Sequence, residues 1–263
     1  MGKTQIDIVI PVFNEIEIMD QLHSRVVNAC EKTQLRYRII YVDDGSHDGT
    51  PQWINRFAIG GSNSMDRSSS VERAELDSTS VLELSVHQDH IETRSPHGSV
   101  TLLNLSRNFG QPAAILAGLT HSQGDSVVIM DGDLQDPPEL IPEMVEKWQM
   151  GDEVVIAQRT SRKETFGRGL AFKLFHRCFR YLSDSNIPPN TGTFCLLDRK
   201  AANSIIELPE SHRFFPGLRA WVGFNQSMIQ FSRPPRAGGE PKQSFFKFSA
   251  MHWMPYLDIH SNR

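Results

Sequence analysis

Apolar and polar positions follow two alternating rhythms along this chain. Ile6 to Phe13, IDIVIPVF, is a mostly apolar run that predicts a buried strand. From Glu15 to Thr33 the spacing changes, and Ile18, Leu22, Val26 and Ala29 fall on one face of a helix. Tyr37 to Gly45, YRIIYVDDG, reads as a second strand ending in acids, and GTPQWINRFA as a short helix. Val100 to Ser106 predicts a third strand, followed by a helix from about Gln111 to Ser122. A fourth strand, Val127 to Met130, runs directly into Asp131, Asp133 and Asp136. PPELIPEMVEKWQMG predicts a helix with proline at its start and Gly151 at its end. DEVVIAQR is a fifth strand. A helix is expected from about Thr165 to Ser183, then a strand and a helix across NTGTFCLLDRKAANSIIEL. A late strand is expected within QSMIQFSRPPRAGGEPKQSFFKF, and HRFFPGLRAWVGF stands out as aromatic and basic.

Strand and helix in alternation predict an α/β protein: a largely parallel sheet with helices on both faces. Ligands of such sheets bind beyond the carboxyl ends of the strands. The acids of YVDDG and VIMDGD fall there. One segment breaks the rhythm. Gly60 to Ser99 is rich in serine and charge with little periodicity, and is expected to be a mobile insertion in a domain of residues 1–240. Residues 241–263 form an apolar, aromatic and basic end segment that suits an interface or a membrane-proximal region.

Composition narrows the classes. The 263 residues are 39 % hydrophobic and 22 % charged, which is ordinary for a globular protein. A net charge of −4 gives no case for a nucleic-acid partner. Cys30, Cys178 and Cys195 are sparse and lack metal-ligand spacing, which suggests buried thiols in a reducing compartment. The chain runs straight into its first strand without the pattern of a signal peptide. No apolar run approaches the ~20 residues of a membrane span.

The strand end at Asp131 poses the chemical question. Aspartate and glycine are turn residues, so D-G-D alone reads first as a surface turn. Alternatively, Asp131 and Asp133 offer oxygens to a hard divalent cation, leaving positions for phosphate and water. For Asp43 and Asp44, followed by Gly45, the plain reading is a capped turn.

The ordered set IPVFNE, YVDDGSHDGT, LSRNFGQPAAILAGL, GDSVVIMDGDLQDPPELIPEMVEKW, QRTSRKE, RFFPGLRAWVGF and RAGGEPK resembles the family-2 glycosyltransferases. The resemblance is to members that move a sugar onto a polyprenyl phosphate, such as dolichol-phosphate mannose synthases and undecaprenyl-phosphate glycosyltransferases. It covers most of residues 6 to 242 outside the insertion. It implies a GT-A fold, a Rossmann-like sheet, a UDP- or GDP-sugar donor, Mg²⁺ or Mn²⁺, and inversion at the anomeric carbon. By the same resemblance Pro11, Asn14 and Glu15 lie in the first nucleotide-binding loop, and Asp43 and Asp44 contact base and ribose. Asp131 and Asp133 hold the metal, and Gln135 lies beside the donor; Asp133, Gln135 and Arg159 would carry catalysis.

Basic residues then fall to phosphates. Arg159 and Arg162 offer planar donors. Lys173 and Arg177, about one helical turn apart, suit an acceptor phosphate or simply an exposed helix face. Arg213, Arg219, Arg233, Arg236 and Lys242 make the C-terminal third positive, which suits an anionic lipid headgroup.

Two features depart from the family. Where polyprenyl-phosphate members carry GDF, this chain has Gly192-Thr193-Phe194, so Thr193 replaces an aspartate that organises the acceptor or acts as base. A hydroxyl acceptor would need such a base, and only Asp184 offers itself. A phosphate acceptor is largely dianionic at neutral pH and needs none; Thr193 would then act by shape and hydrogen bonding. The second departure is GGEPKQS in place of GESKY. The expected partners are a nucleotide-diphosphate sugar, a polyprenyl phosphate and a membrane surface or membrane partner, and a homo-oligomer is compatible with them. The expected location is the cytoplasmic face of the membrane. Many members continue into transmembrane helices, so the chain is expected to be peripheral unless it is cut from a longer protein. Rival readings are a soluble transferase acting on a saccharide or protein hydroxyl, and a nucleotide-sugar-binding scaffold.

Overall fold

The computed structural model describes residues 4–59, 84–85, 91–92, 97–160, 188–209 and 214–232. Among them the strands are β1 (Gln5–Val12), β2 (Arg36–Asp43), β3 (Leu84–Ser85), β4 (Ile91–Glu92), β5 (Gly98–Leu105), β6 (Ser126–Ile129), β7 (Val154–Arg159), β8 (Thr191–Asp198) and β9 (Gln226–Phe231). The helices are α1 (Met19–Lys32), α2 (Thr50–Ile59), α3 (Gln111–His121), α4 (Ile141–Gln149), α5 (Arg199–Ile206) and α6 (Phe215–Trp221).

All the strands belong to one sheet, ordered β3-β5-β2-β1-β6-β8-β7-β9, with β4 also paired to β5. β5, β2, β1 and β6 run parallel, as the strand–helix alternation requires. β8 enters antiparallel between β6 and β7, and β9 is parallel to β7. The sheet is therefore mostly parallel but mixed. The connection that feeds β8 from β7, residues 161–187, lies outside the described residues. Part of the segment expected to be an insertion belongs to the sheet. β5 begins at Gly98 rather than Val100, and β3 and β4 pair antiparallel with it.

Side-chain alternation explains why the strands read as continuous apolar runs. In β1, Ile6, Ile8 and Ile10 pack with Leu22, Val26 and Met144 of α1 and α4, while Val9 packs on the other face with Ile115 and Leu119 of α3. Both faces are covered, so most strand positions are apolar. His23 of α1 lies within this packing, edge-on to Trp53 at 5.7 Å and 3.2 Å from the Tyr41 hydroxyl. Burial lowers its pKa to about 4, partly opposed by Asp20.

The HRFFPGLRAWVGF segment contains α6, which its periodicity did not reveal. Pro216 sits in the first turn, where its missing N–H costs nothing. At the amino end of the sheet, buried Asp7 accepts from Arg38 at 2.6 Å and from the amides of Gln123 and Gly124. No helix among the described residues is long and apolar enough to cross a membrane.

Candidate active site

The carboxyl ends of β1, β2, β5 and β6 converge, and short polar links tie their loops together. After β1, Asn14 adopts a left-handed backbone with φ of 52°. Its N–H donates to Ser46 Oγ at 2.8 Å, and its side-chain oxygen accepts from His47 N at 2.8 Å. The Glu15 amide donates to Thr50 Oγ1 at 3.0 Å, and the Ile16 amide to Asp48 at 3.1 Å. Asp48 also accepts from the Thr50 amide and hydroxyl. Burial raises the Asp48 pKa, but these hydrogen bonds outweigh it and the net shift is downward. FNE and SHDGT are thus clasped into one ledge. Pro11 lies within β1 opposite Val42, beyond the last β1–β6 pair, Val9 with Ile129. A residue without an N–H is tolerated there because no β6 neighbour asks for one.

Asp43 and Asp44 close β2 and are nearly buried. Asp43 accepts from the Ser46 amide at 3.1 Å. Asp44 accepts from the amides of Phe109 at 2.7 Å and Gly110 at 2.9 Å. Burial raises both carboxyls, and these N–H contacts pull the other way. Asp44 therefore braces the loop that opens α3. Gly45 permits this approach: its φ is +76°, and a Cβ there would lie 2.7 Å from the Arg107 carbonyl carbon.

That loop delivers Gln111, the first residue of α3, to the acids of β6. Gln111 Nε2 donates to Asp131 Oδ1 at 2.5 Å, and Thr193 Oγ1 of β8 donates to the same oxygen at 2.8 Å. Asp133 Oδ1 accepts from the Gln135 amide at 3.1 Å. Between them Leu134 is left-handed, with φ of 59°, and its side chain is buried. A bulky residue there is an outlier, costing roughly 1–3 kcal/mol, and the kink carries Gln135 back beside Asp133.

Asp136 lies behind this pair and is fully buried. Its Oδ2 accepts from the Asp131 amide at 3.1 Å, and Arg159 Nη2 stands 3.7 Å from its Oδ1. Burial, and then the charge of Asp131, push its pKa up to about 7, with Arg159 opposing. Arg159 closes β7 against Gly192, where a Cβ would sit 3.1 Å from Nη2. Gly192 thus leaves room for the guanidinium.

Sequence reasoning named Pro11, Asn14, Glu15, Asp43, Asp44, Asp131, Asp133, Gln135 and Arg159, and the structure places all of them at this one end of the sheet. Arg162, Lys173, Arg177, Arg213 and Asp184 lie outside the described residues, as do Arg233, Arg236 and Lys242. Arg219 is a correction. It was grouped with the basic surface suited to a headgroup, but it is 1 % exposed and donates to the Gly192 carbonyl at 3.0 Å. Thr193 likewise contacts the acid pair from the position expected to organise an acceptor. Gln111, Asp48 and a role for Asp136 were missed. A glutamine opening a helix after a glycine loop, and a third acid in D-x-D-x-x-D, were the available signals.

The donor set fits a hard cation. Among the described residues no three acids, histidines or cysteines converge as a ready-made cage. Two carboxylates at a strand end instead suit Mg²⁺ or Mn²⁺ that completes its shell with phosphate oxygens and water.

The model of glycosyl transferase family 2 matches residues 7–67 and 85–206. An uncharacterized glycosyltransferase of Synechocystis sp. is 36 % identical over 244 residues, which cover 92 % of this chain and 65 % of that protein. The bactoprenol glucosyl transferase of Shigella phage SfV is 31 % identical over 245 residues, covering 92 % and 68 %. The chain thus spans about two thirds of the length of these relatives. Among solved structures, the mannosyltransferase of Pyrobaculum calidifontis in complex with GDP-Man and Mn²⁺ superposes with a TM-score of 0.51 at 17 % identity, over 96 % of this chain and 61 % of that one. The shared fold is GT-A.

Proposed function

The chain belongs to glycosyl transferase family 2, and from that premise we propose that it transfers a sugar from UDP- or GDP-sugar to a polyprenyl phosphate at the cytoplasmic face of a membrane, with inversion. The observation that carries the reading is the acid pair Asp131 and Asp133 at the end of β6, with one Asp131 oxygen held by Gln111 and Thr193 and with Asp136, beside Arg159, behind it. The relative that acts on bactoprenol supports the lipid acceptor.

In this mechanism the ledge of Asn14, Glu15 and Ser46 to Thr50 seats the nucleotide, with Asp43 accepting from base or ribose. Asp131 and Asp133 would hold Mg²⁺ or Mn²⁺, which when bound neutralises charge growing on the departing diphosphate. Gln135 lies beside the donor, and Arg159 offers N–H donors to its phosphate oxygens. The acceptor phosphate is assigned to Arg162, Lys173, Arg177 and Arg213. One of its oxygens forms a bond to the anomeric carbon. The bond to the donor diphosphate breaks on the opposite side, and its electron pair leaves with the nucleotide.

A phosphate acceptor asks no side-chain base of the described site. A hydroxyl acceptor needs an accessible base that titrates near neutral pH. Among the described site carboxyls, the one pushed to about 7 is Asp136, which has no exposed surface. A phosphate with its second pKa near 6 carries its own nucleophilic oxygen. The test is purified protein, radiolabelled UDP-glucose and GDP-mannose, and undecaprenyl phosphate beside a saccharide acceptor. Label entering the organic phase with the lipid is expected; label entering only the saccharide overturns the reading.

A further inference from the structure

Arg219 is among the largest fully buried side chains of the described protein, and nothing in the mechanism above uses it. It projects from α6 to β8, where Nη1 donates to the Gly192 carbonyl at 3.0 Å. Among the described residues its buried Nη2 has no hydrogen-bond partner. Its charge also reaches the buried Cys195 thiol, whose pKa burial raises and Arg219 lowers. A buried guanidinium with one orphaned nitrogen is a poor way to fill a core position that leucine or methionine would occupy at no electrostatic cost.

The register of β8 shows what the arginine supplies. Against β7, Cys195 pairs with Ile156 and Thr191 with Gln158, so a step of two residues on β7 spans four on β8. Against β6 the pairing ends at Ile129 with Cys195. Gly192 and Thr193 therefore lie in a bulge, beyond the ladder that would otherwise fix their orientation. Bulges beside active sites re-aim side chains, and this one aims the Thr193 hydroxyl at Asp131 Oδ1. Arg219 gives the Gly192 carbonyl the donor that the ladder does not.

We propose that Arg219 is a positioning residue for the donor site: through the Gly192 carbonyl it fixes the β8 bulge, so that Thr193 holds Asp131 in register to receive the cation. The inference rests on the donor reading above. The chain of contact is Arg219 to Gly192, Thr193 to Asp131, and it links α6 to the acids of β6.

The test is a double-mutant cycle on R219M, T193V and the pair, read as the affinity of UDP and GDP with and without Mn²⁺. R219M and T193V are each expected to lower the Mn²⁺-dependent affinity about tenfold, as loss of a hydrogen bond to a charged group does. In T193V, adding R219M should change it less than twofold, because the route is already cut. R219K, which keeps the buried charge and a donor, should recover part of the loss, and it carries the cycle if R219M does not fold. Losses that add, an equal loss without Mn²⁺, or collapse of both arginine variants would overturn the inference and leave Arg219 a structural residue. A wild-type protein that binds neither nucleotide with Mn²⁺ would instead overturn the donor reading, and the role of Arg219 with it.

Discussion

Replacing Asp44 separates a loop brace from a ligand contact. Its two oxygens take the Phe109 and Gly110 amides at 2.7 and 2.9 Å, at 4 % exposure. Asp44→Asn keeps one acceptor oxygen and turns the other into a donor, so one buried N–H loses its partner at roughly 1–3 kcal/mol. Asp44→Ala strands both, for roughly twice that. Burial of the carboxylate already disfavours its charged form, so removing it returns some energy and the lower halves of these ranges apply. For a domain of this size 1 kcal/mol moves Tm by about 2–4 °C. The expected falls are about 4 °C for asparagine and about 8 °C for alanine, by thermal melting at pH 7.5 without metal. Nucleotide affinity should fall in the same order, because the loop carries Gln111 to Asp131. Unchanged melting in both variants, with nucleotide affinity lost, would refute the bracing argument and make Asp44 a direct ligand group.

Asp133→Ala should abolish Mn²⁺-dependent nucleotide binding while melting without metal stays within about 2 °C; metal-dependent affinity equal to wild type in calorimetric titration would reject Asp133 as a ligand. Thr193→Asp sets a second carboxylate against Asp131, where two unit charges ~4 Å apart repel by about 4 kcal/mol at an effective dielectric of 20. The variant should melt below wild type without metal and recover more than wild type on adding Mn²⁺; an equal response to Mn²⁺ would count against the contact. His23 holds its pKa at about 4, against 6.5 when unfolded. The unfolded chain therefore binds the extra proton first as pH falls, and stability drops between about 6.5 and 4, by up to about 3 kcal/mol. Melting curves at pH 7.5 and 4.5 should show a smaller fall for His23→Gln, and equal falls would remove His23 as the cause.

The acids at the strand ends were legible because a carboxylate after an apolar run has nowhere to go but the rim of the sheet. Asp131 and Asp133 follow Val127–Met130, and Asp43 and Asp44 follow Ile39–Val42, so their arrival at one end of the sheet followed from the parallel pairing of β2, β1 and β6. The Thr193 contact was not legible. It spans 62 residues and depends on an antiparallel strand and a bulge, which no local period encodes. Arg219 was misplaced for a related reason. Arginine in an aromatic segment reads as surface, and only the packing of α6 on β8 shows that it lies inside. The Asp44 contacts were not legible either, because its sequence context is the same whether it faces a ribose or the two amides of a neighbouring loop.

The strand that completes the site is also made late. Synthesis runs from the amino end, so β1, β2, β5 and β6 emerge before β8. The acids of β6 thus exist for a time in a chain that does not yet contain Thr193. Closing a 62-residue loop must precede the contact that rewards it, although its entropy grows only slowly with length. Under the proposed reading, a nascent chain therefore carries the acids of β6 before it carries the strand that completes the donor site. On that reading, nucleotide sugar meets the complete cradle only once β8 lies between β6 and β7.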